Sequence, residues 1–298
     1  MRLIDKLFLG FLAIAGTVAA LRGQERPAAW WALLAYGLIA VMVLLLSRPG
    51  LGVVGRALRD VYPLLLLVPL YSSLDLLNGI EQVQVHDQLV RGWEELIFGG
   101  QVSQTWWQAN PSRFLSAIFH LSYFSYYLII PLPLIWFAAT KDAASLRRSV
   151  LIIFATFLAC YLWFILFPVA GPYYEFPRPA AWFLDNRPAR LVYATLATGS
   201  SYGAAFPSSH VAGAVAATMA GWMGSRRLGL ILLTPTVLLT VGVVYAQMHY
   251  AVDAIAGALL AIGVAFLLSR LAHDRRLEER AGRDRAGQGP APTTAPSL

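Results

Sequence analysis

Two histidines and one aspartate in the second half of the chain have the types and spacing of a phosphoryl-transfer site. His249 and Asp253 lie four residues apart in "HYAVD", which places them on one face of a helix. A carboxylate there can accept the proton of one imidazole nitrogen and leave the other nitrogen free as a nucleophile. His210, which follows "PSS", can donate a proton to a leaving oxygen. These groups can transfer a phosphoryl group through a phosphohistidine, and the chemistry requires no metal and no cofactor.

The residues before His210 have the character of a helix start. Pro207, Ser208 and Ser209 precede it, and proline is favoured in the first turn of a helix. Backbone N–H groups in a first turn have no partner within the helix and favour a bound anion. Ser208 and Ser209 are therefore predicted to help bind a phosphate group.

The elements that carry these residues are predicted to be membrane-spanning helices. The chain of 298 residues is 58% hydrophobic and 13% charged, whereas soluble domains carry about 25% charged residues. A run of ~20 apolar residues is long enough to cross the hydrocarbon layer. We predict an all-α, multi-pass bundle of about eight spans, at 7–21, 28–47, 61–78, 114–139, 149–168, 208–224, 228–247 and 250–270. The first span, with its basic flank and short apolar run, also fits a signal peptide.

The distribution of Lys and Arg predicts the orientation of the bundle. With a cytoplasmic amino terminus, the inner segments carry 16 of the 23 basic residues, as cytoplasmic loops do. Both termini are then cytoplasmic, in a protein of the cell membrane. His210, His249 and Asp253 all fall at span ends on the extracytoplasmic side, where they are predicted to meet. The net charge of +7 reflects this topology, and we expect no nucleic acid partner.

The chain is predicted to form one membrane-embedded catalytic domain over 1–272, with a core at about 61–272. The region 79–113 is expected to contain a helix that lies in the outer membrane interface, because apolar residues share one helical face and two tryptophans follow. These residues are Leu89, Trp93, Leu96, Ile97, Trp106 and Trp107. His86 and Asp87 are expected on a solvated surface of that helix. Residues 273–298 are charged and then rich in Pro, Ala and Thr, which predicts a disordered cytoplasmic tail.

"PSSH" followed by "HYAVD" resembles the second and third signature motifs of the type-2 phosphatidic acid phosphatase superfamily. The resemblance implies that His249 is the nucleophile, Asp253 its orienting partner and His210 the general acid. It also implies phosphate binding by Ser208 and Ser209, and a six-helix core that corresponds to the last six spans. The expected activity is that of a metal-independent phosphoric ester hydrolase or phosphotransferase whose partners are a lipid phosphate or phospholipid and the surrounding membrane lipids.

The chain departs from the superfamily pattern at two cationic positions. The first motif of the superfamily has a lysine, six residues and then Arg-Pro; here Arg178 and Pro179 fit, but Gly171 stands at the lysine position. Val243 stands where the third motif has an arginine. These departures, with "FPVAGPYY" and "HDQLVRGWEELIFG", look like the branch that contains the inositol phosphorylceramide synthases. Arg178 is the best remaining candidate to hold the phosphate.

Three further residues are candidates for substrate binding. His120 belongs to a polar stripe on the fourth span, Asp75 lies near the outer end of the third, and Tyr245 precedes His249. His120 could line a headgroup pocket or bond between helices. A competing interpretation of the whole polar cluster is a non-enzymatic transporter of phospholipids or polyprenyl phosphates. The inverted repeats and paired broken helices common in transporters are not evident in the sequence, which does not define the oligomeric state.

Overall fold

The computed structural model describes residues 1–80 and 82–287, with side chains except at 57 and 273–287. Every regular element in this part of the chain is a helix. The first eight helices are α1 (Leu3–Arg22), α2 (Ala28–Leu46), α3 (Val53–Leu65), α4 (Leu67–Leu77), α5 (Asp87–Phe98), α6 (Val102–Ala109), α7 (Arg113–Phe124) and α8 (Tyr126–Ile129). They are followed by α9 (Leu132–Ala139), α10 (Ala143–Leu166), α11 (Pro172–Glu175), α12 (Ala181–Leu184), α13 (Arg187–Gly199), α14 (Ser209–Gly224), α15 (Arg226–Tyr245) and α16 (Ala251–Gly287). The prediction of an all-α multi-pass bundle is confirmed.

Most of the predicted spans are helices of membrane length. Within the described residues, six helical segments are long and apolar enough to cross a membrane, one of them the run α7–α9 (Arg113–Ala139). The pair α3–α4, bent by 47°, forms a seventh if it is one span. The sixth predicted span, 208–224, is the 16-residue helix α14. At 1.5 Å per residue it extends only about 24 Å, which is short of a full hydrocarbon layer.

Helix α14 lies at the centre of the bundle, in contact with α10, α15 and α16. Its buried residues are mostly small, and they include Ala212, Ala216 and Ala220. Small side chains let helix backbones approach closely in a membrane bundle. On α16, a side chain on Gly257 would contact the Ser208 carbonyl. The start of α14 therefore packs directly against the first turns of α16.

The N-terminal helix is tied to the same end of the bundle as His210. The Arg22 guanidinium donates to Asn78 Oδ1 and to the Ile165 carbonyl, each at 2.6 Å. Asn78 Nδ2 in turn donates to the Phe164 carbonyl at 3.2 Å and to the Tyr202 carbonyl at 3.1 Å. These bonds satisfy carbonyl groups at the carboxyl end of α10, which have no partner within the helix.

Helix α5 has the apolar face expected of an interfacial helix, since Leu89, Leu96 and Ile97 are exposed. Two expectations about its neighbourhood are wrong. Asp87 is only 2% exposed rather than solvated, and Trp107 is buried against Phe183 instead of lying at a lipid surface.

At the carboxyl end of the chain, α16 continues to Gly287, into the segment predicted to be disordered. Helix therefore replaces irregular chain over 273–287. The remaining residues of the predicted tail, 288–298, lie outside the described residues.

Candidate active site

Four chain segments meet at one end of the bundle, which we call the active-site end: the end of α10, the start of α14, the end of α15 and the start of α16. Val169 and Ala204 form a short parallel bridge, and the Ser208 N–H donates to the Asp253 carbonyl at 3.0 Å. Segments that are far apart in sequence are thus joined through their backbones. The ring centroids of His210 and His249 are 5.7 Å apart as a result.

Asp253 lies beside His249, as their spacing predicts. His249 Nδ1 is 3.4 Å from Asp253 Oδ2, and the same oxygen accepts the Tyr250 N–H at 2.9 Å. Because the Nδ1 side faces the carboxylate, Nε2 is the nitrogen left for chemistry. Burial and, to a smaller extent, the neighbouring His210 lower the pKa of His249 to about 3. The imidazole is therefore neutral at neutral pH, and a neutral imidazole has the lone pair that a nucleophile needs.

His210 is held between two tyrosine rings. Its ring centroid lies 4.6 Å from that of Tyr123 and 4.7 Å from that of Tyr126. His210 Nδ1 is buried without a hydrogen-bond partner. The two aromatic rings, rather than hydrogen bonds, therefore set the orientation of this imidazole toward His249.

A cavity of about 40 Å³ opens between the two histidines. Its wall is rich in aromatic side chains, contributed by Tyr71, Tyr123, Tyr173 and Tyr174. No lysine or arginine is among the described residues that line it. One water needs about 10–15 Å³ of such space, so the cavity in this conformation has room for only a few waters.

The start of α14 supplies polar backbone groups next to this cavity. Ser208 is the residue that caps the helix, since its hydroxyl accepts the Val211 N–H at 3.4 Å. Ser208 and Ser209 are both buried. The N–H groups of the first turn that Ser208 does not cap have no partner within the helix, and the helix dipole favours an anion there.

The absence of the family's lysine at position 171 has a structural reason. Gly171 has φ 87° and ψ 170°, a region that is essentially restricted to glycine. A Cβ atom at this position would lie 2.6 Å from Ala205 Cβ. Both the backbone conformation and the close approach of the 203–205 segment therefore exclude a lysine.

None of the six predicted binding residues lines the cavity: Ser208 and Ser209 immediately precede His210, which does line it, and the other four lie elsewhere. Arg178 is exposed and lies 5.9 Å from the ring of Tyr193, which is itself 5.9 Å from Tyr173 in the cavity wall. Asp75 is exposed near the end of α4. In this conformation neither residue is among those that line the cavity with the two histidines.

The other two are buried in the helix packing. His120 Nδ1 lies 2.7 Å from the Ser116 carbonyl and must donate to it, because a carbonyl oxygen can only accept. His120 Nε2 is then an acceptor, and it has no partner. The Tyr245 hydroxyl donates to the Asn110 carbonyl at 2.7 Å, and its ring packs on Trp106 and Phe119. These contacts make Tyr245 an anchor between α15 and the α6–α7 connection.

The fold and the site define an all-α membrane bundle that brings two histidines and a buried carboxylate together at one end. The family model of the PAP2 superfamily, the type-2 phosphatidic acid phosphatases, matches residues 93–267. The match covers more than half of the chain, which therefore belongs to this superfamily. Membership supports a lipid phosphatase type of function and lipid substrates. No curated protein and no solved structure matches the chain.

Proposed function

We propose that this protein is an integral membrane lipid phosphatase or phosphotransferase that works through a phosphohistidine on His249. The observation that supports it best is the shared position of the two imidazoles, 5.7 Å apart at one cavity, with Asp253 Oδ2 3.4 Å from His249 Nδ1. Neutral His249 attacks the phosphorus through Nε2, and the bond from phosphorus to the leaving oxygen breaks. His210, which is protonated when the negatively charged phosphate is bound beside it, donates a proton to that oxygen. Asp253 stabilises the positive charge that develops on the His249 ring.

The second step regenerates the enzyme. His210, now neutral, accepts a proton from water or from an alcohol, whose oxygen attacks the phosphorus as the phosphorus–nitrogen bond breaks. Attack by water gives hydrolysis, and attack by a lipid hydroxyl gives headgroup transfer. The glycine and valine at the two cationic positions, with the likeness to inositol phosphorylceramide synthases, support transfer of a phosphorylated headgroup such as inositol phosphate. A group of this size is larger than the cavity of about 40 Å³, so the cavity must widen to admit it.

The remaining predicted residues have secondary roles in this proposal. Ser208 and Ser209, with the first-turn amides of α14, hold the phosphate oxygens. Arg178 and Asp75, which are both exposed, contact polar groups of the bound headgroup. We assign no substrate contact to His120, since it is fully buried in the helix packing. We assign no substrate contact to Tyr245, since its hydroxyl already donates to the Asn110 carbonyl.

The reaction is tested with purified protein and candidate lipid phosphates and phospholipids, supplied with and without a lipid alcohol and analysed by mass spectrometry. We expect product from wild-type protein and none from His249→Ala or His210→Ala. Full turnover by either variant would refute the assignment. A product that contains the alcohol identifies transfer, and free phosphate or phosphorylated headgroup identifies hydrolysis.

Both termini are proposed to be cytoplasmic, with the active-site end facing outward across the cell membrane. This orientation is tested by labelling introduced cysteines in intact cells, since the native Cys160 is buried. Cysteine at the exposed position Glu95 should react with an impermeant reagent, and cysteine at the exposed position Lys141 should not. The reverse pattern would show that the bundle is inverted.

A further inference from the structure

Helix α5 has two faces of opposite character. Leu96 is 85% exposed on one face, whereas Asp87, Val90 and Glu94 are buried on the other. Their spacing of three and four residues places these three on one side of the helix. Two carboxylates are thus directed into the protein from a helix whose apolar side is open to the membrane.

Asp87 holds the loop that follows α10. Its two carboxylate oxygens accept the Ala170 N–H at 2.7 Å and the Gly171 N–H at 2.8 Å, and Oδ1 also accepts the Tyr250 hydroxyl at 3.0 Å. Burial and the adjacent Asp87 raise the pKa of Tyr250, so its hydroxyl keeps the proton that it donates. Asp87 therefore joins the loop at Gly171 to the residue that follows His249.

Glu94 joins two helix starts. Oε1 accepts the Val102 N–H of α6 at 3.0 Å, and Oε2 accepts the Val252 N–H of α16 at 3.3 Å. A carboxylate is stabilised at such positions because first-turn amides lack partners and the helix dipole is positive there. Val252 immediately precedes Asp253, so Glu94 fixes the turn that carries the carboxylate facing His249.

We propose that Asp87 and Glu94 are positioning residues, which hold the loop at Gly171 and the first turn of α16 so that Asp253 stays aligned with His249. Neither side chain lines the cavity, so both act through the backbone and through Tyr250. The inference rests on the proposed function, since it assigns these residues to the geometry of the same reaction.

The test compares Glu94→Gln with Glu95→Gln, its exposed neighbour on the same helix. A glutamine keeps the shape of Glu94 but replaces one oxygen with an NH₂ group, which cannot accept from a backbone N–H. We expect kcat per folded molecule to fall roughly 10- to 100-fold in Glu94→Gln, as misplacement of catalytic groups does, with KM within about twofold of wild type because the cavity wall is unchanged. Glu95→Gln should match wild type in both constants.

Folded protein is counted by size-exclusion chromatography and thermal unfolding, because a merely structural role lowers the folded fraction and leaves kcat of the folded molecules unchanged. Tyr250→Phe is measured in parallel. It removes one hydroxyl and keeps the ring, and its kcat should fall severalfold. If Glu94→Gln is not recovered as folded protein, the kcat of Tyr250→Phe tests the positioning role instead.

If every folded variant has the kcat of wild type, the positioning role is refuted. The proposed function still stands in that case, provided that the wild-type protein turns over substrate and His249→Ala is inactive. Turnover that survives His249→Ala would instead refute the proposed function itself.

Discussion

Replacing Gly171 with alanine tests how the backbone of the active-site end is held. Gly171 has a backbone conformation that other residues rarely adopt, and its N–H is bonded to Asp87. A methyl group here would lie 2.6 Å from Ala205 Cβ. Because the Ala205 N–H donates to the Val169 carbonyl, this steric contact would displace the backbone bridge that leads into α14.

The expected cost has two parts. The backbone conformation costs a non-glycine residue about 1–3 kcal/mol of unfolding free energy. The methyl contact is short of ordinary carbon–carbon separation, which is about 3.5–4.0 Å, so the 203–205 segment must move by about 1 Å. A displacement of that size near reacting groups can lower the rate about 100-fold. Gly171→Lys, which restores the family's residue, should carry the same penalties and gain no activity.

The assay measures unfolding free energy and kcat/KM of detergent-solubilised protein with a short-chain lipid phosphate. Gly199→Ala is the control, since a Cβ there meets no atom within 4 Å. Combining Gly171→Ala with Ala205→Gly removes the methyl contact but not the backbone strain. The double variant should therefore recover most of the activity and remain less stable than wild type. Wild-type stability and rate in Gly171→Ala would refute this reasoning.

Three other perturbations have defined outcomes. The pKa of His249 is about 3 in the folded chain against an ordinary value of 6.5, so the unfolded protein binds more protons than the folded protein below pH 6.5. The free energy of unfolding should therefore fall on acidification from pH 6.5 toward pH 3, by at most ~1.4 kcal/mol per pH unit. His249→Gln should reduce this pH dependence in chemical unfolding curves. Gly257→Ala should lower both activity and unfolding free energy, because its Cβ meets the Ser208 carbonyl, whereas Gly263→Ala meets no atom within 4 Å and should behave as wild type. Arg22→Gln, which loses charged bonds to the ends of α4 and α10, should destabilise the protein by about 2 kcal/mol in the same assay; an unchanged midpoint would contradict that role.

The convergence of His210, His249 and Asp253 could be predicted because hydropathy locates the spans and the basic residues indicate which end of each span is cytoplasmic. Once the direction is known, the residues at alternate span ends must lie on one side, and the spacing of His249 and Asp253 fixes their contact. The bundle class follows from the same run lengths. The short length of α14 could not be predicted, because its alanines and glycines are typical of membrane sequence while their role is close packing.

The burial of Asp87 and Glu94 could not be predicted from local sequence. Charged residues on an amphipathic helix look solvated, and the partners that make burial possible are backbone amides about 80 and 160 residues away along the chain. The anchoring contact of Tyr245 could not be predicted from local sequence either, since its partner is the carbonyl of Asn110, which is distant along the chain. One signal was available: polar residues three, four or seven apart share a helical face, and Asp87 and Glu94 have that spacing.

The central claim is that His249 carries the phosphoryl group between donor and acceptor. The most direct measurement is a rapid quench of the enzyme during turnover of a labelled lipid phosphate, followed by peptide mapping at neutral to alkaline pH. Label on the peptide that contains His249, formed and lost as fast as product appears and absent in His249→Gln, is the predicted result. Product formation at the wild-type rate with label on another residue, or with undiminished turnover by His249→Gln, would contradict it.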